Sequence, residues 1–270
     1  MLRRIAFTAV SVIALAGGAN AQNYAAVNWS GLYGGVNAGY GSGGSSNLFV
    51  EDQANWAYTV KNAQGQVIAS GSGTDYASLK KSFDSSGGFG GGQIGYNTQR
   101  GNIVFGVEGD LQGSGITGSG AGTLNLTLSD PYNNSTFTSK VSAKSELDYF
   151  GTFRGRVGYT VGNALVYFTG GLAFGGVNDN LTFTDDTGTK HSKSNSSTLT
   201  GYVLGGGAEY FLNPSWSVKA EYQYIDLGQT DLKLDGYYLG NDAKATADHT
   251  YNTVRAGINY HVGAGIEPLK

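Results

Sequence analysis

The chain has 270 residues with 45 Gly, 18 Tyr, 12 Phe, 3 Pro, 1 Met and no Cys, and a formal net charge of −3. Glycine is well over twice its usual ~7 per cent but has no three-residue period, which excludes collagen. The missing cysteines exclude disulfides, thiolate zinc and iron–sulfur centres, and the weak negative charge argues against a nucleic-acid partner.

Met1-Leu2-Arg3-Arg4 is a short positive start, Ile5 to Leu15 is almost continuously apolar, and Gly17-Gly18-Ala19-Asn20-Ala21 ends in a small-x-small pattern. This predicts a secretory signal peptide over 1–21, cleaved after Ala21. The apolar run is short for a membrane anchor, and no later stretch is long and apolar enough for a spanning helix. With Arg3 and Arg4 removed, the net charge falls from −3 to about −5.

From there the pattern has period two and recurs eight times. Leu32, Gly34, Val36, Ala38 and Tyr40 alternate with Tyr33, Gly35, Asn37 and Gly39. Gly88 to Asn97 follows, and then the clearest run, with Ile103, Phe105, Val107, Gly109 and Leu111 opposite Glu108, Asp110 and Gln112. Leu147 to Tyr159 sets Phe153 and Val157 against Thr152, Arg154 and Arg156; Ala164 to Val177 has a poorly marked polar face. Tyr202, Leu204, Ala208 and Tyr210 lie opposite Glu209; Trp216, Val218, Ala220 and Tyr222 lie opposite Lys219 and Glu221. The last run places Val254, Ala256, Ile258, Tyr260 and Val262 against Thr253, Arg255, Asn259 and His261.

Such long alternation fits strands that cross a bilayer obliquely. Three connections, 98–101, 160–163 and 212–215, are short. The other four, roughly 42–86, 113–145, 178–197 and 229–249, are long and rich in Ser, Gly, Asn, Thr and Asp. The expectation is an all-β fold, an eight-stranded antiparallel transmembrane up-and-down β-barrel over 22–262 with short periplasmic turns and long outer loops. A short periplasmic tail, 263–270, would follow it.

A secreted two-sheet sandwich would show the same alternation. Two features favour the barrel. Tyr33, Tyr40, Tyr96, Tyr159, Tyr210, Trp216 and Tyr222 sit near strand ends, where they would mark the membrane interfaces. Glu108, Asp110, Arg154, Arg156, Glu209, Lys219, Glu221 and Arg255 fall on one face, four acidic and four basic, as a paired interior charge network.

Gly205-Gly-Gly-Ala-Glu-Tyr210, Trp216-Ser-Val-Lys-Ala-Glu-Tyr222 and Tyr224-Ile-Asp-Leu-Gly228 closely resemble the small porin-like outer-membrane proteins of alpha-proteobacteria. These are surface-antigen barrels related to the membrane domain of outer membrane protein A. Trp29-Ser-Gly-Leu-Tyr33, Phe150-Gly-Thr-Phe-Arg-Gly-Arg-Val-Gly-Tyr159 and Val254-Arg-Ala-Gly-Ile-Asn-Tyr260 look like that family's first, fourth and last strands. The resemblance implies an outer-membrane barrel without enzymatic activity or cofactor, often a major surface protein and sometimes described as a porin. It also implies outer-membrane lipid, lipopolysaccharide and the barrel assembly machinery as partners, and leaves open a homo-oligomer and an extracellular ligand at the outer loops. Family members usually end the last strand in an aromatic residue; Val262 stands there, followed by Gly263 to Lys270.

An enzyme would need a histidine on a rigid element with an orienting carboxylate. His191 lies among Lys190, Ser192 and Lys193 and His249 beside Asp248, both expected to be solvated, while His261 falls near the turn end. Asp179, Asp185 and Asp186 lack the spacing of a calcium loop. Gly87–Gly92 and Gly205–Gly207 lack the Lys-Ser/Thr ending of a phosphate loop. The reading is no enzyme, no metal and no cofactor. In the long connections Trp56, Tyr58, Val60 and Val67, then Leu124, Leu126 and Leu128, alternate again; this allows strands 1–4 to extend as hairpins beyond the membrane and present edges or an apolar patch to a partner, against the favoured alternative of segments that pack on one another as a cap. No cationic or aromatic cluster suited to a ligand is legible there.

Overall fold

In the computed structural model, residues 27–262 are described apart from 44–45, 131–132, 185–186 and 235–242. The expected signal peptide and C-terminal tail lie outside the described residues. Ten strands follow in order: β1 (Gly31–Gly43), β2 (Ser46–Lys61), β3 (Val67–Phe83), β4 (Ser85–Arg100), β5 (Ile103–Asp130), β6 (Asn133–Val161), β7 (Ala164–Thr184), β8 (Lys190–Asn213), β9 (Trp216–Leu234) and β10 (Ala243–Val262). All pairings are antiparallel, in the order β1-β4-β5-β6-β7-β8-β9-β10-β2-β3, and β1 also pairs with β10.

The expected eight-stranded up-and-down barrel with long outer loops is therefore corrected. The sheet has ten strands, because 46–83 forms a β2–β3 hairpin where a loop was expected. That hairpin departs from the ends of β1 and β4 and touches β10 through only three residue pairs, 49–51 against 244–246. The other long connections are mostly strand as well, since β5 and β6 pair from Ile103↔Tyr159 out to Asp130↔Asn133, with one register shift between Gly113 and Ile116. Polar composition misled the reading. Ser, Thr and Asn on the outward side of these segments resemble loop, while the residues between them, such as Val141, Ala143, Leu181 and Phe183, are small or apolar and buried.

Each short turn has a local cause. Arg100 pairs with Ile103 and Val161 with Ala164, leaving two-residue turns in which Gly101 and Gly162 take φ of 57° and 59°. These are left-handed values that L side chains resist, and they match the twist of a tight hairpin.

Burial is inverted relative to a water-soluble protein. Phe168 and Leu172 on β7 are 75% and 68% exposed, whereas Arg154 is 1% exposed. Outward apolar side chains form a band on every strand of the ring β1, β4–β10, far larger than a soluble monomer tolerates. About 9–11 residues cross a bilayer; β6 has 29, so its far half extends well beyond such a band.

The interior is layered. Nearest the turns, Trp29, Val104, Leu165, Tyr167 and Phe211 pack together, with Trp29 and Phe211 ring centroids 4.3 Å apart. Toward the far end a second cluster contains Phe89, Ile116, Leu147, Phe150, Val177, Val203, Ile225, Leu227 and Tyr251. Between the two apolar layers lie the buried charges.

Candidate functional site

The central layer is built by strand parity. Every second residue of β5, β6, β8, β9 and β10 points inward, so Glu108, Asp110, Arg154, Arg156, Glu209, Lys219, Glu221 and Arg255 all enter one compartment, each less than a tenth exposed. Glu108 accepts from Lys219 Nζ at 2.9 and 3.0 Å, from the Tyr33 hydroxyl at 2.7 Å, from Arg255 Nη2 at 3.2 Å and from Arg154. Glu221 accepts from Arg154 Nη1 at 2.7 Å, Arg255 Nη2 at 2.7 Å, Tyr167 at 2.6 Å and Gln223 at 2.6 Å. Asp110 accepts from Thr152 at 2.6 Å and Arg154 Nη2 at 2.9 Å, and lies 3.3 Å from Arg255 Nη1.

Glu209 and Arg156 form the side of the network nearest the turns. Arg156 Nη1 donates to Glu209 at 3.1 Å, and its guanidinium lies 4.6 Å from the Tyr33 ring centroid and 5.2 Å from that of Tyr167. Glu209 also accepts from Ser217 at 2.5 Å and Asn259 at 2.7 Å. Asn37, Gln93 and Asn259 continue the network as a chain of amides across β1, β4 and β10. All eight residues of the expected charge set thus meet in one compartment, together with Tyr33, Tyr167, Thr152 and several amides that sequence reasoning did not assign to it. Alternation phase could have found them: Thr152 shares the parity of Arg154 on β6, and Tyr33 and Gln93 each alternate with outward apolar neighbours, Leu32 and Ile94.

Of the seven aromatics expected at the membrane interfaces, Tyr40, Tyr96, Tyr159, Tyr210, Trp216 and Tyr222 project outward and are exposed. Tyr33 does not. It is fully buried and bonded to Glu108. The reason is parity, because it alternates with outward Leu32 and so shares the inward phase of Asn37.

His249 is also corrected. It was expected to be solvated beside Asp248, but successive strand residues face opposite ways. Asp248 accepts from Gln229 at 2.6 Å, whereas His249 is 1% exposed. Its Nε2 lies 2.9 Å from Thr230 Oγ1 and 3.3 Å from Asp179 Oδ2, and Thr230 donates to that same carboxylate oxygen at 2.8 Å. This cluster stands five residues beyond Phe174, the last exposed apolar residue of β7. Thr230 and Asp179 both meet Nε2, which leaves Nδ1 without a partner, so the nucleophile–base–carboxylate relay of a hydrolase is not formed. His191 is exposed on β8. Among the described residues no group of three or more His, Asp or Glu is arranged to hold a metal.

Burial alone would raise the Asp179 carboxyl, but hydrogen bonds from His249, Ser145 and Thr230 outweigh it and hold the group below its usual value. A depressed carboxylate contributes stability above its unfolded value of about 3.9 and loses it as pH falls through the lower folded value. Thermal unfolding followed between pH 2 and 6 should show an acid decline that Asp179→Asn flattens; identical profiles would count against the linkage.

The family model for the outer membrane protein beta-barrel domain matches residues 11–261. The chain belongs to this family. It is 36% identical over 239 residues to the 31 kDa outer-membrane immunogenic protein of Brucella melitensis biotype 1, covering 86% of this chain and 83% of that one. It is 34% identical over 170 residues to the 22 kDa outer membrane protein of Rhizobium leguminosarum bv. viciae, covering 62% and 64%. Among solved structures, OprG from Pseudomonas aeruginosa aligns over 89% of this chain and 100% of its own, at 13% identity and a TM-score of 0.44. As a member of this alpha-proteobacterial family, the protein resides in the outer membrane.

Proposed function

We propose that the protein is a non-conducting structural and surface component of the outer membrane, with the long hairpins on the outer side. The mature chain would start at Gln22 after signal cleavage, insert through the barrel assembly machinery, and sit in lipid and lipopolysaccharide with Tyr40, Tyr96, Tyr159, Tyr210, Trp216 and Tyr222 at the headgroups. One observation carries this reading. The buried charges form a neutral layer, four acids against four bases, held between an apolar cluster around Trp29 and Phe211 and another around Phe89 and Phe150. A hydrated ion would have to part Arg154 and Arg255, each bonded to more than one buried carboxylate, and also cross two layers that disfavour water. The chemistry therefore resides outside, on the hairpins, and the immunogenicity named for the Brucella relative fits such exposed segments.

The competing reading is a small-solute porin. Purified protein in planar bilayers should give no stable open channel above the bare-membrane baseline. Large, reproducible conductance steps would overturn the sealed-interior reading, and their loss in Glu221→Gln would place the path through the charge layer.

A further inference from the structure

The wall of the ring parts above the apolar band. Among the described residues the β8–β9 ladder ends at Tyr202↔Asp226. Beyond it β8 pairs with β7 out to Thr184↔Lys190, while β9 pairs with β10 out to Ala243↔Leu234. A bulge marks the place: Asp248↔Gln229 is followed by Thr250↔Asp226, so Leu227 and Gly228 stand opposite His249 alone. Gly228 takes φ of 82°, a left-handed value that L side chains resist, and its N–H donates to Asp226 Oδ1 at 2.9 Å. Such a bulge bends its strand and shifts the alternation by one residue. Leu227 and Thr230 are accordingly both buried, although they lie three apart.

That shift aims Thr230 across the parting. Asp179 on β7 accepts from Thr230 on β9 at 2.8 Å and lies 3.3 Å from Nε2 of His249 on β10. Three side chains thus join the two halves of the wall where the β8–β9 ladder has ended. Nδ1 of the ring has no protein partner, so the ring is attached through Nε2. Val177, Leu227 and Tyr251, each the neighbouring inward residue on its own strand, belong to the outer apolar layer beneath this cluster.

The other groups on this face are uncharged at neutral pH. They are Ser145 on β6, Asn195 and Ser197 on β8 by parity, and Tyr251, a phenol of ordinary value about 10. Lys193, the next inward-parity residue outward on β8, is exposed. An imidazolium against Asp179 makes a buried ion pair, whereas the neutral ring offers the carboxylate a hydrogen bond only. Asp179 is held below its usual value and stays charged, so the ring's proton sets the strength of the link. An ordinary imidazole titrates near ~6.5.

We propose that Asp179, Thr230 and His249 form a proton-set latch that holds the β9–β10 hairpin against β7 over the apolar layer. With the ring charged the latch is closed. As pH rises through the ring's titration the ion pair is lost, and the hairpin swings about the Gly228 bulge and parts the wall beside Val177 and Leu227. The latch lies outside the charge layer, so it stands whether or not the barrel conducts.

The chain has no native cysteine, which allows a spin-label pair at Ser196→Cys on β8 and Gln229→Cys on β9, both exposed. In full-length protein in detergent, double electron–electron resonance should give one short distance at about pH 5.5 and a second, longer population that grows toward about pH 8.5 with a one-proton midpoint. His249→Gln, whose amide still donates but takes up no proton, should show the same distribution at both ends. Asp179→Asn should show the longer population already at the acid end. A distribution that does not change with pH in the otherwise unaltered protein overturns the proposal, as does the same pH response in His249→Gln. If that variant fails to insert, a closed distribution in Asp179→Asn at the acid end overturns it independently.

Discussion

Glu221→Ala should destabilise the protein by about 3–5 kcal/mol, measured by urea unfolding in lipid vesicles. Removing this carboxylate takes the acceptor from Tyr167 and leaves Arg154 and Arg255, all bonded to it within 3 Å, sharing only Glu108 and Asp110, so that the buried layer carries an uncompensated positive charge. Glu221→Gln keeps the volume and one acceptor, so it should fall between wild type and alanine. Replacing Glu221, Arg154 and Arg255 together with apolar residues of similar size should recover much of the loss, because the cost arises from unpaired charge rather than from the absence of the pairs. If Glu221→Ala unfolds at the wild-type urea concentration, the carboxylate is not holding this layer together.

Phe150→Ala tests the outer apolar layer. Phe150 is 1% exposed and meets Phe89 edge-on, with centroids 5.1 Å apart and planes at 73°. Truncation removes that contact and leaves a cavity bordered by strands that cannot collapse inward, at a cost of about 3–5 kcal/mol. Bilayers containing the variant should nevertheless stay silent, since the charge layer and the Trp29–Phe211 cluster remain in series below it. A conducting Phe150→Ala protein would show that the outer layer alone seals the interior.

Strand parity was legible from the residues alone because a strand's side chains must alternate. Once Ile103, Phe105 and Val107 are known to face lipid, Glu108 and Asp110 must face inward, and the same holds for Lys219 and Glu221 beside Val218 and Tyr222. Family membership and the places of the short turns were legible for similar local reasons, although Thr98–Arg100 and Thr160–Val161, read as turn, remain strand and leave only two residues in each turn. Partner choice was not. Which acid meets which base depends on the stagger between strands far apart in the chain, as in the 147-residue separation of Glu108 and Arg255.

Composition also hid what lies beyond the apolar band. Hydroxyl and amide side chains look like loop in sequence, yet they occupy the wet face of strands whose other face is buried, and that burial exists only once the hairpins stand side by side. The same holds for Trp56 and Tyr58, which alternate visibly in the sequence. Only the register of β2 on β3 sets Gly73 and Gly71 beneath them.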